Sequence, residues 1–161
     1  MIEKYVTIIM TLILGLCIGS FLNVVIYRLP RSISLAKPAS HCPKCGAPIR
    51  PLDNIPVLSY IFLRGKCRHC RDRISSRYPI IELANTALYF VSLCLFTPYI
   101  FPQSPHNMLL LCTTCLSFSI MICILMCDFD NMEIPDELQL ALLVVAIVAL
   151  LSAKCFTNSQ S

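Results

Sequence analysis

A chain of 161 residues could form one ordinary domain, but 57% hydrophobic and only 14% charged residues exclude a soluble one. The net charge of +4 is localised, because eleven of the thirteen Lys and Arg lie from Arg28 to Arg77. Between apolar segments such a cluster reads as the cytoplasmic-loop signal of a multi-pass membrane protein, with anionic lipid as a further contact, in preference to a nucleic-acid patch.

The first apolar run, residues 5–26, is long enough at the helical rise to cross a hydrocarbon core of about 30 Å. A signal peptide is the rival reading, but no small-x-small cleavage site precedes the loop, so the span is expected to be retained with its N-terminus outside. Near its inner end lie Gly19, Ser20 and Asn23. Small residues admit a neighbouring helix, and an asparagine in lipid needs a hydrogen-bond partner, so all three are read as packing.

The basic loop, 30–79, carries Cys42-Pro-Lys-Cys45 and Cys67-Arg-His-Cys70. Two such knuckles separated by about twenty residues suit one tetrahedral zinc ion, since each turns two thiolates toward one point. His41 and His69 flank the cysteines as bystanders. Frequent Pro and Gly argue for short strands and knuckles in place of long helices, and Ser59, Tyr60 and Phe62 are expected to pack on the ribbon or rest on the membrane surface. The other seven cysteines, among them Cys112 and Cys115 within an apolar run, read as small hydrophobes, not as a secreted disulfide scaffold.

A second span is expected over 80–96, entered through Pro79 with Glu82 in its first turn, where a carboxylate meets the positive end of the helix dipole. An external turn, 97–107, has no Lys or Arg. The third span, 108–127, ends in charge: five of the nine acidic residues lie in the ten positions from Asp128 to Glu137. A fourth span, 135–153, and a polar tail, 154–161, complete the chain, and no internal repeat is evident. Asp136 and Glu137 read as caps of the last helix. Asp128 follows an apolar run, where partial burial would raise its pKa and suit it to acid–base work. Aspartic proteolysis needs two carboxylates sharing one proton, and Asp128 and Asp130 point apart on a regular helix, so the segment supplies half a dyad. The fold class expected is mainly α, a polytopic membrane protein of about four transmembrane helices with a cytoplasmic zinc-ribbon-like loop between the first two. The expected organisation is 1–29, 30–79, 80–153 and 154–161.

Taken together, Gly19-Ser-Phe-Leu-Asn23 through Arg28-Leu-Pro30, the Cys42–Cys45 knuckle, Asn54-Ile-Pro-Val-Leu-Ser59-Tyr60, Leu63-Arg64-Gly65-Lys66-Cys67-Arg-His-Cys70, Arg77-Tyr-Pro79-Ile-Ile-Glu82, and Asp128 ahead of Pro135-Asp136 resemble the type IV prepilin peptidases. The resemblance implies a membrane aspartic protease that cuts the basic leader of prepilins or pseudopilins at the cytoplasmic face of the inner (plasma) membrane. It also implies N-methylation of the new terminus with S-adenosylmethionine. Asp128 would be one catalytic carboxylate, Asp130 and Glu133 would attract the basic leader, and Cys42, Cys45, Cys67 and Cys70 would hold structural zinc. The family's second aspartate lies in a Gly-x-Gly-Asp motif, and no glycine follows Gly65. The expectation is therefore a chain that stops about halfway through the membrane domain, with the other half separately encoded if present. A non-enzymatic membrane adaptor or inactive remnant with a structural zinc ribbon is the alternative.

Overall fold

The computed structural model describes residues 2–100 and 105–158. Part of the expected external turn, 101–104, and the end of the tail, 159–161, lie outside the described residues. Among the described residues there are five α-helices: α1 (Ile2–Arg28), α2 (Leu58–Phe62), α3 (Arg77–Ile100), α4 (Pro105–Asn131) and α5 (Asp136–Asn158). Two short 3-10 turns, Leu29–Arg31 and Pro51–Asn54, lie in the loop. Among the described residues, three helical stretches are long and apolar enough to cross a membrane: Ile2–Arg31, Arg77–Leu95 and Asn107–Asn131. The fourth expected span is helical, as α5, but is not among those three.

The long helices pack in sequence order, α1 on α3, α3 on α4 and α4 on α5, with α4 also touching α1. Leu22, Ile26, Ile81, Ile120, Cys123 and Cys127 form the centre of the core. Large apolar side chains such as Ile13, Leu125 and Leu143 remain exposed on the outer faces, as expected where the surrounding solvent is hydrocarbon.

Glycine brings α1 and α3 together. A Cβ built on Gly19 would stand 2.7 Å from the Glu82 Cα, and one on Gly15 would stand 3.0 Å from the Thr86 Cα. The packing expected of Gly19 is thus observed, and the Asn23 side-chain amide donates to the carbonyls of Gly19 and Tyr78, both at 3.3 Å. A second buried polar group had no counterpart in the sequence reading. Asn85 donates to the Gly15 carbonyl at 2.8 Å and accepts from the Ser119 hydroxyl at 2.8 Å, while the Tyr89 hydroxyl lies 2.9 Å from Ser119. In an apolar surrounding these bonds fix the register of α1, α3 and α4, because slipping any helix leaves a polar group unpaired.

Helix boundaries differ from expectation on both sides of the bundle: α3 runs on to Ile100 and α4 starts at Pro105, so the described parts of the expected external turn, 97–100 and 105–107, are helical. Helix α3 begins at Arg77, not Ile80: the Ser75 hydroxyl accepts from the Arg77 N–H at 3.3 Å, and Pro79 falls within the first turn, where its missing N–H costs no helical bond. Glu82 consequently lies beyond the first turn, and the dipole explanation for it fails. Helix α4 continues past Cys127 to Asn131 and stops where Met132 turns left-handed (φ 53°), its N–H reaching the Asp128 carbonyl at 2.8 Å. The acids of α5 do lie in its first turn.

Candidate functional site

The loop starts from a buried arginine. Arg28, only 8% exposed, donates to the carbonyls of Ser34 at 2.9 Å and Pro38 at 2.7 Å, folding the chain back as it leaves α1. The sequence offers Arg28 as topological charge and as part of the first-helix signature, but not these partners.

The two knuckles then form with one backbone pattern. The Cys42 N–H donates to Ala47 and the Gly46 N–H to Cys42; correspondingly, Cys67 donates to Asp72 and Arg71 to Cys67. One residue outward, His41 bridges Pro48 as Lys66 bridges Arg73, and the Ile49 N–H reaches Ser40 as the Ile74 N–H reaches Gly65. This is an internal repeat, contrary to the reading that none is present. Its side chains agree only at the cysteines and the closing isoleucine, so the likeness resides in the backbone. The turn after each second cysteine requires positive φ, supplied by Gly46 (69°) and Arg71 (62°). Isolated bridges replace the expected short strands among the described residues.

The pattern turns Cys42, Cys45, Cys67 and Cys70 inward, with all four sulfurs within 4.8 Å of one another and Cys42 Sγ 3.9 Å from Cys70 Sγ. A tetrahedral ion with metal–sulfur bonds of about 2.3 Å has sulfur–sulfur edges of about 3.8 Å, so this donor set fits such an ion with a small contraction. Backbone N–H groups of Cys70 and His69 hold the Cys67 thiol down at about 7. The Asp72 N–H acts likewise on Cys70, but desolvation and the neighbouring thiols prevail and push it up to about 11. Neither His41 nor His69 joins the quartet. A bidentate Asp53–Arg68 pair, 2.5 and 2.7 Å, ties the Pro51–Asn54 turn to the second knuckle, and the Arg68 guanidinium holds the Asp53 carboxyl below the usual carboxylate range.

Between the knuckles, α2 is fastened to the helix bundle. The backbone N–H of Val57, whose φ is +60°, donates to Glu82 Oε2 at 2.7 Å. Glu82 is 6% exposed, so its carboxylate holds the loop against α3 in place of capping that helix. The signal for this role was its position inside an apolar segment, where an ionisable residue calls for a partner.

The acidic segment meets the same end of the bundle. Arg77, first residue of α3, forms a bidentate pair with Asp130 in the last turn of α4, at 2.8 and 2.5 Å. Asn23, Tyr27, Arg31, Arg77, Tyr78 and Asp130 are among the residues around a cleft of about 410 Å³ where α1, α3 and α4 converge. Asp128 and Glu133 are exposed and do not line it. The partial burial expected of Asp128 is therefore absent, because it projects from the outer side of the final turn. Asp130 is engaged by Arg77, a partner that sequence spacing could not indicate. The structure thus gathers the four cysteines, pairs Asp130, and leaves Asp128 and Glu133 apart from both.

The profile of the Bacterial Peptidase A24 N-terminal domain matches residues 13–96, spanning the four-cysteine loop and most of the two helices beside it. The chain belongs to the bacterial peptidase A24 family. Among its relatives, a prepilin leader peptidase/N-methyltransferase from Burkholderia pseudomallei (strain 1026b) is 39% identical over 157 residues, covering 82% of this chain and 48% of the relative. A protein of the same name from Vibrio cholerae is 37% identical over 153 residues, covering 90% and 57%. One from Myxococcus xanthus is 51% identical over 81 residues, covering 50% and 24%. The chain spans about half the length of the Burkholderia pseudomallei and Vibrio cholerae relatives. No solved structure matches. Since these relatives are named as enzymes, the adaptor alternative is not favoured.

Proposed function

We propose that this chain supplies the N-terminal part of a prepilin leader peptidase, with zinc in its four-cysteine loop and Asp128 as one of two catalytic carboxylates. The observation that carries the reading is the Arg77–Asp130 pair, which fastens the last turn of α4, and with it Asp128, to the end of the bundle from which the cysteine loop emerges. Bound zinc would act as a structural clamp, since four thiolates close its coordination shell. In the aspartic mechanism one carboxyl stays protonated while the other activates the water that attacks the scissile carbonyl. Asp128, solvent-exposed, is accessible to such a partner, which we assign to polypeptide outside these 161 residues.

The exposed acids Glu133, Asp136 and Glu137 draw the basic leader toward α4; Asp130 contributes once Arg77 releases it. The basic loop faces the cytoplasm, with the N-terminus outside and the spans in the inner membrane, following the distribution of Lys and Arg. The relatives' names support N-methylation, with S-adenosylmethionine as the methyl donor. In this organisation 1–29 is the signature helix, 30–79 the zinc loop, 80–153 the start of the peptidase domain and 154–161 a tail.

The test uses the full chain in membranes with a prepilin, alone and with the C-terminal half of the Burkholderia pseudomallei relative, reading leader removal by mass spectrometry. Cleavage in the complemented membranes that disappears with Asp128→Asn is the expected result. Cleavage that survives Asp128→Asn overturns the assignment.

A further inference from the structure

The residues between the knuckles present an apolar face outside all three candidate spans. Leu58, Ile61 and Phe62, at i, i+3 and i+4 of α2, are 51%, 62% and 80% exposed, and Leu52 on the preceding turn is 76% exposed. Such spacing sets the three side chains on one side of the helix. The opposite side faces the loop, where the Tyr60 ring covers Gly65 so closely that a Cβ there would meet it at 3.0 Å. Surrounded by a loop this rich in charge, a fully solvated patch of this kind would be costly.

The attachment of α2 shows where the patch lies. Val57 is hydrogen-bonded to Glu82, five residues into α3 and so about 8 Å along the helix from its first residue. On the other side, Asn54 and Pro56 share a groove with Cys17, Ser20, Phe21 and Val24 of α1. Ser20 precedes the end of α1 by eight residues, about 12 Å of helix. Residues 54–57 therefore lie against the outer surface of two candidate spans, beside the exposed Phe21, and α2 leads on from there with its apolar face uncovered. Exposed Arg50, Arg64 and Lys66 flank it, and no acidic residue occurs between Asp53 and Arg68. Basic residues beside an apolar face are the arrangement of an element that lies in a membrane interface, with cationic heads among anionic lipid headgroups.

We propose that α2, with the turn before it, is an in-plane membrane anchor whose Leu52, Leu58, Ile61 and Phe62 side chains insert into the acyl-chain boundary. The occupant of the face is lipid. The anchor suspends the metal loop from the bilayer at a point between its two knuckles, so that the loop is held by α1, by α3 and by the membrane itself.

The chain contains no tryptophan, so a single Phe62→Trp provides a unique fluorophore; Ile61→Trp serves as a second. The full-length variants are reconstituted in phosphatidylcholine–phosphatidylglycerol bilayers with or without bromine on the acyl chains, with Leu35→Trp as the loop reference. The expected result is that brominated lipid removes most of the emission at positions 61 and 62 while acrylamide removes little, with the reverse at position 35. Quenching by acrylamide and not by bromolipid would place the patch in water and overturn the proposal. Protection from both quenchers would show that protein covers the face, which overturns it equally. Neither outcome bears on leader cleavage, so the anchor and the peptidase assignment stand or fall separately.

Discussion

Replacing Gly19 by alanine probes the contact on which the placement of the loop depends. The added methyl would lie 2.7 Å from the Glu82 Cα, whereas carbon atoms rest at about 3.5–4.0 Å, so α1 and α3 must separate locally by about 1 Å. Overpacking of this kind costs about 1–3 kcal/mol. The same separation stretches the 3.3 Å bond from Asn23 to the Tyr78 carbonyl beyond hydrogen-bonding range, at about 0.6–1.7 kcal/mol for an interhelical bond in lipid. Alanine recovers about 1 kcal/mol of helix propensity, leaving a net loss of about 1–4 kcal/mol. Because Glu82 also holds Val57, the loop loosens with the helices. The assay is unfolding in mixed micelles by SDS titration followed by circular dichroism, with zinc retention measured on the same samples. Gly15→Ala, with its longer 3.0 Å contact, should lose less. If Gly19→Ala proves as stable as the unaltered protein and retains its metal, the close approach of these helices is refuted.

Cys42→Ser or Cys67→Ser should each reduce bound zinc from about one ion per chain to near zero, measured by elemental analysis of purified protein, because three thiolates leave the tetrahedral site open. Exhaustive chelation should expose the loop to proteolysis between residues 39 and 74 while leaving the helices protected, read by mass mapping of the fragments, since binding of structural zinc is coupled to folding. Glu82→Gln keeps an acceptor for the Val57 N–H but weakens it, and Glu82→Ala removes it; hydrogen exchange at Val57 should rise in that order, with a stability loss of about 1–3 kcal/mol for alanine. Arg77→Gln should cost only about 0.2–1 kcal/mol, the range of an ion pair still reached by solvent, yet raise the mobility of a spin label at position 129. Neutralising Glu133 and Glu137 together should weaken leader binding at low salt and have little effect at high salt, seen as a flattened salt dependence of the apparent affinity.

Much of this architecture could be read from the chain because hydrophobic length and ligand spacing are local signals. Apolar runs announced α1, α3, α4 and the helix that became α5, and the paired Cys-x-x-Cys announced the quartet that the structure gathers. Gly19 and Asn23 were recognisable as packing residues, since small and amide groups in an apolar helix have few other uses. What escaped were contacts between residues distant in sequence. The partnership of Glu82 with Val57 depends on a left-handed residue in a loop, and that of Arg77 with Asp130 on how two helices meet. Asn85 shares an otherwise apolar run with Glu82, Thr86 and Ser92, and nothing local singles it out or points to Gly15 and Ser119. The repeat of the knuckles was hidden because hydrogen bonds preserve it while side chains do not: Gly46 and Arg71 adopt the same backbone turn with unlike chemistry.

The most direct test of the account concerns sidedness. The four-cysteine loop and Asp128 must meet the same aqueous compartment for the loop, the leader and the catalytic carboxylate to act together. Metal-depleted Asp128→Cys protein, treated with a membrane-impermeant maleimide in spheroplasts and in inside-out vesicles, can be mapped peptide by peptide. The account predicts that position 128 and Cys45 are both modified in inside-out vesicles and both spared in spheroplasts. Modification of the two from opposite faces would contradict it.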